Sequence, residues 1–82
     1  MVIISLDPYF ERTFSKIKDQ LTKEKILKQI IKIKENPEIG KPMRYTRKGI
    51  RELYIKPYRL SYMYLKEENK ILITDLYHKD EQ

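Results

Sequence analysis

Residues 37–49 hold both glycines of the chain and two of its four prolines, and this segment separates two unlike halves. Glycine and proline interrupt regular helices and central strands, so this segment is predicted to be a loop. Before the segment, apolar residues recur at helical spacing. After it, they alternate with polar residues as they do in strands. The pattern predicts helices followed by a sheet, and 82 residues suit a single domain, residues 1–82, with a small core.

The first half predicts one strand and two helices. Val2 to Leu6 is an apolar run that favours a strand, and Asp7-Pro8 is typical of a helix start, with Asp7 as the N-cap. Thr22 is the predicted cap of a second helix, which Asn36-Pro37 ends. The short link between the helices predicts an antiparallel hairpin. The apolar positions expected to face the core are Phe10, Phe14, Ile17 and Leu21 in the first helix and Ile26, Leu27, Ile30, Ile31 and Ile33 in the second.

The second half predicts three strands joined by tight turns. Their ranges are Ile50 to Lys56, Tyr58 to Leu65 and Ile71 to Tyr77. The element order is therefore β-α-α-β-β-β, an α+β fold with a helix hairpin packed on one face of a small, mainly antiparallel twisted sheet. Alternation places Leu60 and its neighbouring tyrosines on the core face, and Arg59 on the face that the helices leave open.

The net charge of +6 is concentrated in one stretch, residues 41–59. That stretch has seven basic residues against Glu52 alone, and the rest of the chain has equal numbers of basic and acidic residues. A local excess rich in arginine indicates a polyanionic partner such as a nucleic acid. The basic residues are Lys41, Arg44, Arg47, Lys48, Arg51, Lys56 and Arg59.

Composition excludes several classes of site. The chain has no cysteine and one histidine, which excludes disulfides, thiolate zinc sites, cysteine nucleophiles and histidine-cluster metal sites. No apolar run is long enough to span a membrane, and the N-terminus lacks a signal-peptide pattern. We therefore expect a cytoplasmic protein with no membrane association, no metal and no cofactor.

Four short motifs in this order resemble the RelE/ParE superfamily of toxins from toxin–antitoxin systems. The motifs are Gly40-Lys41-Pro42, Gly49-Ile50-Arg51-Glu52-Leu53-Tyr54-Ile55, Tyr58-Arg59-Leu60-Ser61-Tyr62 and Asp75-Leu76-Tyr77-His78-Lys79. The resemblance implies a protein neutralised by a cognate antitoxin in a hetero-oligomer. Its RelE-like branch implies metal-independent cleavage of mRNA in the ribosomal A site. Its ParE-like branch implies inhibition of DNA gyrase without RNA cleavage.

In the RNA-cleaving interpretation, a ribose 2′-OH attacks the adjacent phosphate, which requires a base, cations at the phosphate and an acid. The resemblance assigns the phosphate contact to Arg59, with Lys79 as an assisting cation. His78 is the acid candidate, since imidazole titrates nearest neutral pH. The other basic residues of 41–59 are candidates for contacts with the nucleic acid: Lys41, Arg44, Arg47, Lys48, Arg51 and Lys56. We expect Arg59 and His78 to share the open face, and opposite faces would exclude this pairing.

Met43 stands where relatives with a catalytic histidine carry a glutamate base, so Glu52 and Tyr54 are the candidate substitutes. Many relatives also have a functional tyrosine in a C-terminal segment beyond the length of this chain, and Tyr77 or Tyr54 is an alternative here. Three functions stay open at this point. They are a ribosome-dependent mRNA endoribonuclease, which the arginine and histidine favour, a gyrase inhibitor, and a binding protein that keeps the fold without catalysis.

Overall fold

The computed structural model describes residues 2–42 and 49–78, and shows two helices packed on one face of a five-stranded sheet. The elements are β1 (Ile3–Leu6), α1 (Pro8–Lys16), α2 (Gln20–Glu35), β2 (Lys41–Pro42), β3 (Ile50–Ile55), β4 (Tyr58–Leu65), a 3₁₀ turn (Lys66–Glu68) and β5 (Lys70–His78). The predicted α+β class is confirmed, as is the packing of the helix hairpin on one face.

The sheet order is β1-β5-β4-β3-β2, with β1 parallel to β5 and every other pair antiparallel. β2 lies inside the segment predicted to be a loop, which corrects that prediction. The chain leaving α2 meets the outer edge of β3, whose backbone groups would otherwise lack partners, so Lys41 and Pro42 pair with Glu52 and Arg51. β2 thus connects the helix hairpin to the strand that carries Glu52.

Both helices begin at an aspartate. Asp7 caps α1 as predicted, its carboxylate accepting the N–H of Tyr9 at 2.9 Å. The predicted cap of α2 is wrong: Asp19, three residues before Thr22, is the N-cap. The Thr22 hydroxyl donates to the Asp19 carboxylate at 2.6 Å, and this bond, together with backbone N–H donors, lowers the pKa of Asp19. Asp outcompetes Thr as a cap because a charged oxygen also interacts with the helix dipole.

The core lies between the helices and the inner face of the sheet. Its fully buried members include Phe10, Ile26, Ile33, Leu60 and Ile73. Three residues predicted to face the core are instead exposed: Leu21, Leu27 and Ile31. Leu21 belongs to α2, because α1 ends at Lys16, and the stripe on α2 is wider than the surface that one small sheet can cover.

A β-bulge at Thr74 changes the direction of every side chain in the last part of β5. Ser61 pairs with Asp75 whereas Tyr62 pairs with Ile73, so Thr74 has no residue opposite it in β4. Its hydroxyl donates to the Ser61 carbonyl at 3.1 Å. A bulge inserts one extra residue and so exchanges the two faces beyond it. Leu76 therefore points to the core, and Asp75 points away from it.

Candidate functional site

The sheet face opposite the helices, here called the open face, brings together side chains from three adjacent strands. Residues directly opposite each other in antiparallel strands share a face. Arg59 of β4 lies between Tyr54 of β3 and Tyr77 of β5, and Ser61 lies between Glu52 and Asp75. The open face therefore carries Glu52, Tyr54, Arg59, Asp75 and Tyr77.

Glu52 joins the two neighbouring strands through its carboxylate. Arg59 Nη1 donates to Glu52 Oε1 at 2.9 Å, and the Tyr77 hydroxyl donates to Glu52 Oε2 at 2.6 Å. The Glu52 side chain is 17% exposed and that of Arg59 is 34% exposed, so the pair is partly shielded from solvent. Charge-assisted hydrogen bonds of this kind are the stronger ones, and they fix a guanidinium, a carboxylate and a phenol within one small site.

Arg59 is oriented by two further features. Its guanidinium lies 5.9 Å from the centre of the Tyr54 ring, within the range of a cation–π contact. Its Nε is buried and donates to no acceptor among the described residues. The fold thus fixes one edge of the guanidinium against Glu52 without saturating its donors.

His78 lies on the opposite face of the sheet from Arg59, so the expectation that the two share the open face is wrong. His78 pairs with Tyr58, and the two rings meet edge to face at 5.5 Å between centroids. Tyr58 packs against the core. The bulge at Thr74 is the cause, because plain alternation from Ile73 would have placed His78 on the open face.

Arg51, a candidate contact for nucleic acid, also lies away from the open face. It is opposite Tyr62, and its Nη1 donates to the carbonyls of Glu38 at 3.1 Å and Gly40 at 2.8 Å. The buried Tyr62 hydroxyl accepts the Gly40 N–H and donates to the Pro37 carbonyl, both at 2.8 Å. Burial raises the pKa of the Tyr62 phenol. Sequence reasoning missed this arrangement, which fixes the chain between α2 and β2.

The remaining predicted basic contacts divide into two groups. Lys41 is opposite Glu52 in the register and Lys56 lies in the turn between β3 and β4, and both are exposed. Neither forms an ion pair with any residue in the described ranges. The others lie outside the described residues: Arg44, Arg47, Lys48 and Lys79.

Within residues 2–42 and 49–78, no three or more His, Asp or Glu side chains are grouped so that they could hold a metal ion. No helix in the same ranges has the length and apolar character needed to cross a membrane.

The fold and open face define a class of small α+β protein, and comparison with known proteins identifies the family. The family model described as the ParE toxin of the type II toxin–antitoxin system, parDE, matches residues 3–82. The chain therefore belongs to this toxin family, within the RelE/ParE superfamily that its motifs predicted. No curated protein matches the chain at a significant level.

Solved structures share the fold at low sequence identity. The isolated Escherichia coli RelE toxin superimposes with a TM-score of 0.83 at 15% identity, over 100% of this chain and 88% of that one. The archaeal RelE–RelB complex from Pyrococcus horikoshii gives a TM-score of 0.78 at 11% identity, over 99% of this chain and 98% of that one. The YoeB dimer from Staphylococcus aureus gives a TM-score of 0.75 at 23% identity, over 94% of this chain and 97% of that one. At these identities the likeness describes the fold alone.

Proposed function

We propose that this toxin is a ribosome-dependent endoribonuclease that cleaves mRNA in the A site and so inhibits translation. One observation carries the proposal: Arg59 and Glu52, a phosphate-binding cation and a proton acceptor, are in direct contact on the open face at 2.9 Å. The exposed ring of Tyr54 beside them offers a surface on which a base can stack. Lys41 and Lys56, which form no ion pair among the described residues, add sites for the RNA backbone.

The cleavage step uses the two charged groups in distinct roles. The ribose 2′-OH gives its proton to Glu52 as its oxygen forms a bond to the adjacent phosphorus. The bond from phosphorus to the 5′-oxygen then breaks, which leaves a 2′,3′-cyclic phosphate and a 5′-hydroxyl. Arg59 stabilises the extra negative charge on the phosphorane oxygens. Glu52 can accept this proton while holding Arg59, because a carboxylate has about four lone-pair positions.

The test uses purified chain and ribosomes programmed with a defined mRNA, with cleavage sites mapped by primer extension. We expect a cut within the A-site codon and no cut in the same RNA without ribosomes. Glu52→Gln removes the base while keeping the shape, and should slow cleavage by roughly 10²–10⁴-fold. Lys28→Gln, an exposed substitution on α2, is the control and should cleave like the wild type.

A second candidate function is inhibition of DNA gyrase, which is favoured by the match to a family model named for parDE. A gyrase supercoiling assay on the same preparation discriminates the two functions. Intact mRNA at excess protein, together with inhibited supercoiling, would replace the nuclease proposal with this one.

We also propose that the chain is bound by a cognate antitoxin, as RelE is in the structure of the E. coli RelBE complex. An apolar groove of about 470 Å³ lies between β1, α1 and α2 and suits the apolar face of such a partner. It is lined mainly by Ile4, Leu6, Phe10, Phe14, Leu27 and Ile30. The adjacent β1 is an edge strand, so an added strand can also pair there.

Leu27→Glu tests this groove, because Leu27 is 48% exposed and its replacement should leave the fold intact. We expect the variant to bind the cognate antitoxin at least about tenfold more weakly, as for an interface residue worth more than 1 kcal/mol. Isothermal titration gives the affinity, and Lys28→Gln is again the control. Equal affinities of Leu27→Glu and wild type would place the antitoxin elsewhere.

A further inference from the structure

The cleavage step leaves one role unfilled, that of the acid that protonates the departing 5′-oxygen. His78 does not fill it, because it lies with Tyr58 on the other face of the sheet. On the open face, Tyr77 presents a hydroxyl that donates to Glu52, the proposed base. Its oxygen lies 2.6 Å from Glu52 Oε2, and its Cα is paired with that of Arg59 in the register.

We propose that Tyr77 is the general acid of this toxin and that Glu52 returns the proton to it after each turnover. This inference rests on the proposed endoribonuclease function. Its basis is that a carboxylate, a guanidinium and a phenol form a continuous hydrogen-bonded chain on rigid strands. The base Glu52 then lies on β3, the phosphate-binding Arg59 on β4 and the acid Tyr77 on β5.

The proton transfers balance within this chain of contacts. Glu52 takes the proton of the attacking 2′-OH, and Tyr77 gives its own proton to the 5′-oxygen as the bond to phosphorus breaks. The step leaves a neutral Glu52 beside a tyrosinate. The proton then passes from Glu52 to Tyr77 along their hydrogen bond, which restores both groups without another reactant. Arg59 remains charged throughout and stabilises the phosphate.

The bulge at Thr74 is the structural feature that makes this arrangement possible. Without it, the alternation from Ile71 and Ile73 would direct Tyr77 into the core. With it, Tyr77 reaches Glu52 across the intervening strand β4. Because the Thr74 hydroxyl binds the Ser61 carbonyl, the bulge is held in place beside the site. Groups on paired strands are positioned more accurately than groups on loops.

The test separates an acid from a residue that only positions Glu52. Two mRNAs are compared on programmed ribosomes, one normal and one with sulfur replacing the 5′-bridging oxygen at the cleavage site. A thiolate leaves without protonation, because a thiol is far more acidic than an alcohol. We expect Tyr77→Phe to slow cleavage of the normal RNA by roughly 10²-fold or more and to cleave the sulfur RNA at the wild-type rate.

Two controls complete the design. Glu52→Gln should be slow on both RNAs, since attack by the 2′-OH needs the base in either case. Tyr9→Phe, which alters an exposed phenol on α1, should behave like the wild type on both. If Tyr77→Phe slows both RNAs equally, or neither, the role of Tyr77 as acid is overturned while the nuclease function stands. If the wild type cleaves neither RNA, the proposed function itself fails.

Discussion

Arg59→Ala should abolish growth arrest when the toxin is expressed without its antitoxin, and should slow mRNA cleavage on programmed ribosomes by roughly 10²–10³-fold. The physical reason is that Arg59 is the cation in contact with Glu52 on the open face, at 2.9 Å. In the proposed cleavage step, its loss removes the charge that stabilises the phosphorane. It also leaves the Glu52 carboxylate, 17% exposed, as an uncompensated negative charge that repels phosphate.

Two further arginine variants make this result specific. Arg59→Lys keeps the positive charge but loses the planar guanidinium, which can bind a phosphate through two hydrogen bonds, and should retain only part of the wild-type activity. Arg12→Ala removes an exposed arginine of α1, near Tyr9, and should arrest growth as the wild type does. Thermal melting of each variant shows whether it is folded. Unchanged growth arrest by a folded Arg59→Ala would remove Arg59 from the site.

The parts of the fold that local chemistry determines were predicted from the sequence. Asp7 caps α1 and Pro8 occupies its first position. Both features depend only on neighbouring residues, because the Asp7 carboxylate accepts the N–H of Tyr9 and proline fixes its own backbone angle. The predicted range of β4, Tyr58 to Leu65, is the observed one. It is bounded by Pro57 on one side and by the charged 3₁₀ turn Lys66–Glu68 on the other, so the sequence itself marks both ends of the strand.

The parts that depend on tertiary pairing were not predicted. Thr74 gives no local sign of a bulge, since a threonine within an apolar strand is ordinary. Yet this one residue exchanges the faces of Tyr77 and His78, and with them the identity of the acid candidate. The parallel pairing of β1 with β5 is likewise a long-range contact, between residues far apart in the chain. Periodicity gives the strands, but register determines which side chains meet.

The net charge of a segment is likewise an incomplete guide to the charge on the surface of the folded protein. The basic excess of residues 41–59 predicted a polyanionic partner, but two of the four cations that the structure describes in this stretch are paired within the fold. Arg59 binds Glu52, and Arg51 binds two carbonyls and lies 3.6 Å from the Glu38 carboxylate on the other side of the sheet. The net charge of a segment therefore overstates the positive charge that is available to a binding partner. A contact from Lys41 or Lys56 to RNA competes with no internal ion pair among the described residues.

Gly40→Ala should destabilise the toxin by about 1–3 kcal/mol, as overpacking of a close-packed site does. A Cβ at Gly40 would lie 2.7 Å from both Cε1 and the hydroxyl oxygen of Tyr62, and 3.0 Å from Cβ of Arg51. Neither neighbour can move freely. The Tyr62 ring is fully buried and its hydroxyl binds Gly40 and Pro37, while Arg51 holds the Gly40 carbonyl. Because the free energy of unfolding of a native domain is only about 5–15 kcal/mol, the loss is a sizeable fraction of the total.

Urea unfolding followed by circular dichroism measures this effect, with Lys41→Ala as a control at the next, exposed position, where the change should stay within about 0.5 kcal/mol. Tyr62→Leu removes the ring atoms that the added methyl group would meet, so combining it with Gly40→Ala gives a double-mutant cycle. We expect the double variant to be more stable than the sum of the two single losses predicts, by about 0.5–3 kcal/mol. Additive losses would mean that the strain at this position does not come from Tyr62. A Gly40→Ala variant as stable as wild type would show that the chain between α2 and β2 relaxes away from the ring, and that Arg51 and Tyr62 do not fix its path.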